Sequence, residues 1–157
     1  MEKVYPRVAK TDISCLYLRQ AGGRVAYFPF DIDRTFWEVL SEDHLKMMRN
    51  ALLWAHNEPR VVEVEGPGLL DVTAWRNTHA ITVHLVNLTN PMALKGPYRG
   101  FFPVGPHSVK VTLPQGVEPK RARLLASGKD TEMRREGRTM SITVPTIRDH
   151  EVVAIEI

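Results

Sequence analysis

Periodicity changes at Asn57-Glu58-Pro59, and no other feature limits so strongly what this chain can fold into. Before the break, Leu45, Met48, Leu52 and Ala55 recur at helical spacing, with Met47, Ala51 and Trp54 widening the apolar stripe. Ser41 is placed as an N-cap, and Glu42 and Asp43 sit where the positive end of a helix favours them. The spacing predicts a helix over residues 42–56, and Pro59 blocks its continuation. Ahead of it, residues 13–19 alternate in part, Ala21-Gly22-Gly23 supplies a turn, and residues 24–30 give a second strand, so a β-hairpin is expected. Strand, strand and helix are too few to close a doubly wound domain, because a parallel sheet needs several crossover units.

After the break the pattern is β throughout. Residues 61–65, 69–76, 80–87, 108–113, 121–126, 140–144 and 151–157 read as short strands, and turn or loop residues separate them. Gly66-Pro67-Gly68 and Asn77-Thr78 mark two of the turns, and a proline- and glycine-rich loop covers residues 89–105. A stretch of this length suits one antiparallel sandwich. The expected fold is therefore mainly β (α+β): an antiparallel β-sandwich over residues 59–157, preceded by a β-hairpin and one amphipathic α-helix over residues 1–58.

Charge and composition narrow the function classes. The net charge of +3 in 157 residues invites a nucleic-acid reading, but acidic residues are interspersed nearly everywhere. The densest basic cluster (Lys120, Arg121, Arg123, Lys129, Arg134, Arg135, Arg138) has no interleaved aromatics on which bases could stack. A solvated sheet face is the better account, and no nucleic-acid partner is expected. No apolar run is long enough to span a membrane, and the first residues lack the layout of a signal peptide, so a cytoplasmic protein is expected. Cys15 is the only cysteine, which excludes an intrachain disulfide and a cysteine cage for a metal. It lies in a largely apolar strand and reads as a buried, inert thiol. The histidines show neither His-x-His nor His-Glu-x-x-His spacing, so no metal or other cofactor is expected.

The segment Arg24 to Glu38 carries the densest candidate chemistry. Val25, Ala26, Tyr27 and Phe28 form an apolar run, Pro29 ends the pairing, and Asp31, Asp33, Arg34 and Trp37 follow at once. On an extended segment Asp31 and Asp33 would point the same way and could share a proton or a hard cation. The structural reading has Asp31 capping a turn and Asp33 pairing with Arg34 or another arginine. Neighbours two apart leave no room for a sugar between them, so glycoside hydrolysis by this pair is excluded. Trp37, Phe36, Tyr27 and Phe28 could stack on a sugar or pack a core, and core packing is the favoured reading. Without the rest of its sheet this region would leave apolar surface bare, which points to self-association. In the long loop, Tyr98, Phe101 and Phe102 can contact a ligand or close the end of the core. Asn87, Thr89 and Asn90 should organise the entry to that loop through side-chain bonds to backbone groups.

Three stretches together resemble a known family: Tyr27-Phe-Pro-Phe-Asp-Ile-Asp-Arg-Thr-Phe-Trp37, Val62-Glu-Val-Glu-Gly-Pro-Gly-Leu-Leu-Asp-Val-Thr73 and His84-Leu-Val-Asn-Leu-Thr-Asn-Pro-Met92. They are similar to the C-terminal end of glycoside-hydrolase-like proteins related to β-galactosidases and α-L-fucosidases. The resemblance implies a catalytic β/α barrel, an amidotransferase-like trimerisation domain and a C-terminal β-sandwich in the family. It covers nearly the whole of this chain, yet no part of the chain resembles the barrel, and no catalytic residue carries over. The resemblance thus implies the last hairpin and helix of the trimerisation domain followed by the sandwich, in a short protein or a truncated reading frame. The expected function is a non-catalytic accessory or oligomerisation module, partnered by copies of itself or by a separate catalytic glycoside-hydrolase chain. Two alternatives are a carbohydrate-binding module using the aromatic loops, and a subunit of an active hydrolase whose barrel is on another chain.

Overall fold

The computed structural model describes residues 15–39, 41–89 and 100–157. The chain divides into two compact units, Met1–Pro59 and Arg60–Ile157. No helix among the described residues is long and apolar enough to cross a membrane.

In the first unit, β1 (Tyr17–Gln20) and β2 (Arg24–Tyr27) form an antiparallel ribbon, with Tyr17 opposite Tyr27 and Gln20 opposite Arg24. Gly22 adopts φ +68° in the connecting turn, a conformation glycine takes without a Cβ penalty. Two helices follow where one was expected: α1 (Ile32–Val39) and α2 (Glu42–His56). The extra helix has a readable cause. Ile32, Phe36 and Val39 stand at i, i+4 and i+7, and the Asp31 carbonyl accepts from both the Thr35 backbone N–H (2.9 Å) and its hydroxyl (2.8 Å). α2 has the expected bounds and ends on Asn57 in the left-handed region (φ 54°), whose N–H returns to the Leu53 carbonyl at 3.1 Å. Ser41 holds the N-cap position, but its side chain makes no capping hydrogen bond.

Packing in this unit corrects the expected stripe. The covered face of α2 is His44, Met47, Met48, Ala51, Trp54 and Ala55, whereas Leu45 and Leu52 are exposed. Apolar residues occupy more than one face of this helix, and the ribbon with α1 is too small to cover them all. Arg24 ties ribbon to helix, donating to the Trp54 carbonyl at 3.0 Å with its guanidinium 5.4 Å from that indole.

Among its described residues the second unit has nine strands, all paired antiparallel, against the seven expected. One sheet has the order β3 (Val62–Glu65), β6 (His107–Thr112), β10 (Thr139–Val144), β9 (Met133–Glu136). The other runs β4 (Leu70–Arg76), β5 (Ala80–Asn87), β11 (His150–Glu156), β7 (Arg121–Leu124), β8 (Lys129–Thr131). The mainly β, antiparallel class is as expected from the alternation. The two additional strands, β8 and β9, lie at sheet edges and are densely charged, so apolar alternation could not reveal them. Val83, Leu85, Val153 and Ile155 of one sheet share a core with Val109, Val111, Met140 and Ile142 of the other, all nearly inaccessible. Short chain segments cross between the sheets on both flanks. Gly66-Pro67-Gly68-Leu69 joins β3 to β4, and Glu132 alone separates β8 from β9.

Candidate functional site

The segment with the densest chemistry in the sequence turns helical from Ile32 onward, and this changes what its side chains can do together. Asp33 lies in the first turn of α1, and on a helix residues two apart do not face each other. Asp31 and Asp33 therefore do not converge as they would on an extended segment. Arg34 lies 3.8 Å from Asp31 and 3.6 Å from Glu38, all three well exposed, and Asp33 makes no ion pair among the described residues. The pairing expected for Asp33 thus falls to Asp31. Asp33 is left with the helix dipole alone, so Asp33→Asn should cost about 0.5 kcal/mol at most in chemical denaturation.

Trp37 is 54% exposed and Tyr27 58%, which overturns core packing for these two rings; Phe28 and Phe36 are half-buried. The ribbon is thinly covered on both faces: Leu18, beside Ala26 on one face, is 52% exposed, and Tyr17, Val25 and Tyr27 on the other, open face are exposed too. Cys15 is likewise exposed, not buried, since β1 begins only at Tyr17.

In the sandwich unit, Phe101 and Phe102 are both about half exposed, and the Arg148 guanidinium lies 5.6 Å from the Phe101 ring. Tyr98 and Asn90 lie outside the described residues. The network expected around Asn87 is present. Asn87 is buried, its Nδ2 donates to the Phe102 and Arg148 carbonyls (2.8 Å each), and its Oδ1 accepts from the Thr89 N–H at 3.0 Å. The Thr89 hydroxyl accepts from the Leu69 N–H at 2.9 Å, so this corner is pinned from both sides.

Sequence reasoning missed several further features. Buried Glu151 accepts from the N–H groups of Ala126 (2.8 Å), Val152 (2.9 Å) and Ser127 (3.2 Å). Buried His107 donates from Nε2 to the Pro67 carbonyl at 2.8 Å, which leaves Nδ1 an acceptor without a partner. A Cβ on Gly66 would clash with that imidazole, so only glycine allows the approach. On the outward face of the five-stranded sheet, His84 and His150 stack with ring centres 5.6 Å apart. Trp75, the most exposed tryptophan, stands at the β4 edge of the same face. A shallow hollow of about 450 Å³ lies on this face, with Thr82, Leu125, Ala154 and Glu156 in its lining. The hydrogen bond from Arg121, at 2.7 Å, holds the Glu156 carboxyl below the usual carboxylate range.

These residues form two separate groups, one in each unit. No cluster of three His, Cys, Asp or Glu side chains able to hold a metal occurs among the described residues.

No protein-family model matches this sequence, and no characterised protein matches it by sequence. Among solved structures, the chain is similar to α-L-fucosidase isoenzyme 2 from Paenibacillus thiaminolyticus, with a TM-score of 0.70 and 19% identity. The match covers 83% of this chain and 20% of the fucosidase chain. At that identity the likeness establishes a shared fold: this chain has the architecture of about a fifth of a much longer polypeptide.

Proposed function

We propose that this chain is a non-catalytic accessory module of glycoside-hydrolase type, whose hairpin–helix unit assembles it with further copies of itself. The observation that carries this reading is the imbalance within that unit. Among its described residues only Ile32 and Ala51 are buried hydrophobics, while Tyr17, Val25, Tyr27, Trp37, Leu45 and Leu52 are exposed. A two-stranded ribbon is marginal alone in water, and among the described residues neither of its edges pairs with a further strand. Burying these exposed apolar side chains on a second copy supplies the missing layer. The fold likeness to part of an α-L-fucosidase supports the glycoside-hydrolase relation, and the short span of the match agrees with a role that excludes the catalytic barrel. On this reading the module is the terminal hairpin and helix of an amidotransferase-like domain, followed by a sandwich.

Light scattering of the purified chain at micromolar concentration should give an integral multiple of the chain mass. Val25→Glu with Tyr27→Glu, on the open face of the ribbon, should return it to the monomer while leaving the sandwich's melting transition in place. A monomeric wild-type protein overturns self-assembly. If that monomer also bound a separately expressed glycoside-hydrolase barrel through the same face, the partner would be the catalytic chain. Glycosidase activity in the isolated chain would sink the non-catalytic reading altogether.

A further inference from the structure

We propose that the outward face of the five-stranded sheet is a binding platform for an uncharged carbohydrate chain, with Trp75 as the stacking surface for one sugar ring. The inference is independent of the assembly reading, which concerns the other unit.

Strand register builds the platform. Trp75 is opposite Thr82 across the β4–β5 pair, and Thr82 is opposite Ala154 across the β5–β11 pair, so the three stand in one row on one face. A large indole followed by two small side chains leaves a step: the ring stands proud, 68% exposed, above a low floor. The floor opens into the hollow of about 450 Å³, inside the range of roughly 300–1,000 Å³ common for small-ligand clefts. Its rim carries an imidazole (His79), an ammonium (Lys120), a carboxylate (Glu156) and the apolar Leu125, itself half exposed.

The chemistry of this surface selects among ligands. Its arginines are already paired with carboxylates, Arg121 with Glu156 at 2.7 Å and Arg123 with Asp130 at 3.2 Å, and Lys120 directs one donor to the Ile157 carbonyl at 2.9 Å. An anionic ligand would have to displace those partners. What the face offers freely is an apolar ring beside hydrogen-bonding groups, which suits a ligand with a C–H face on one side and hydroxyls around its rim. A protein partner anchored by Trp75 would need apolar neighbours to shield the indole from water. The residues around it on this face are Thr73, Thr82, His84 and the small Ala80, none of them a large apolar side chain.

Affinity electrophoresis of the full chain tests the proposal, in gels containing galactan, xyloglucan, mannan or a sulfated polysaccharide. Retardation by at least one neutral polymer is expected. Trp75→Ala should weaken it about tenfold or more, as removal of a principal anchor does. Thr82→Arg, which fills the floor, should do the same, while Phe101→Ala with Phe102→Ala should leave it unchanged. Because Trp75 is largely exposed, its variant should melt like wild type. Any of four results overturns the proposal: no retardation by the neutral polymers, equal retardation of Trp75→Ala, a preference for the sulfated polymer, or a loss of mass in light scattering on Trp75→Ala. The last would identify the face as a protein contact.

Discussion

Asn87→Asp should unfold the sandwich in conditions where Asn87→Ala still folds. The native amide points Nδ2 at the Phe102 and Arg148 carbonyls and, at 3.4 Å, toward that of Ile147, inside a site only 3% accessible. Alanine removes the donor and leaves buried carbonyl oxygens without it, at a cost of about 3 kcal/mol. Aspartate is nearly isosteric but replaces the donor with an acceptor. It sets a carboxylate against carbonyl oxygens in a site that cannot solvate the charge, so the loss should exceed that of alanine. Urea denaturation of both variants checks the order. If aspartate were the milder change, the amide would not be acting as the donor that holds this loop.

Glu151→Ala should lower stability by a similar amount, about 3 kcal/mol, for the opposite reason. Here a buried carboxylate is the acceptor, and three backbone N–H groups depend on it: those of Ala126 and Ser127 after β7, and that of Val152 on its own strand. Hydrogen bonds to a charged group are among the stronger ones, and the alanine variant leaves the donors buried and unmet. Glu151→Gln keeps the shape and one good acceptor but turns an N–H toward one of the donors, so it should fall between wild type and alanine. Denaturant titration gives the ranking. Equal stability of all three proteins would mean that solvent reaches these amides.

The broad architecture was legible because it rests on side-chain alternation, which Ile81, Val83 and Leu85 display plainly. The Asn87 corner was legible too, since Asn-Leu-Thr-Asn-Pro after a strand advertises side-chain-to-backbone bonding. What failed to show has physical causes. α1 spans eight residues, and its apolar positions follow closely on a strand and a proline, so its helical period is masked by the extended pattern before it. β8 and β9 have too few apolar residues to signal a strand. The exposure of Trp37, Tyr27 and Cys15 was hidden for another reason: an apolar residue in a sequence announces that it prefers burial, not that the chain contains anything to bury it. Glu151 illustrates the converse. It sits in register with buried Leu85, and only the turn amides waiting beside it explain a carboxylate on the core side.

The passage of the chain from β8 through Glu132 to β9 also governs what the sandwich cannot become. From Lys129 to Glu136 the sequence is Lys-Asp-Thr-Glu-Met-Arg-Arg-Glu, and these residues form the outermost rungs of both sheets on that flank. An incoming strand would have to strip water from nearly every side chain it met before making its first backbone bond. Growth of either sheet by accretion is therefore discouraged there, and the sandwich is kept from adding strands of a second copy along that flank.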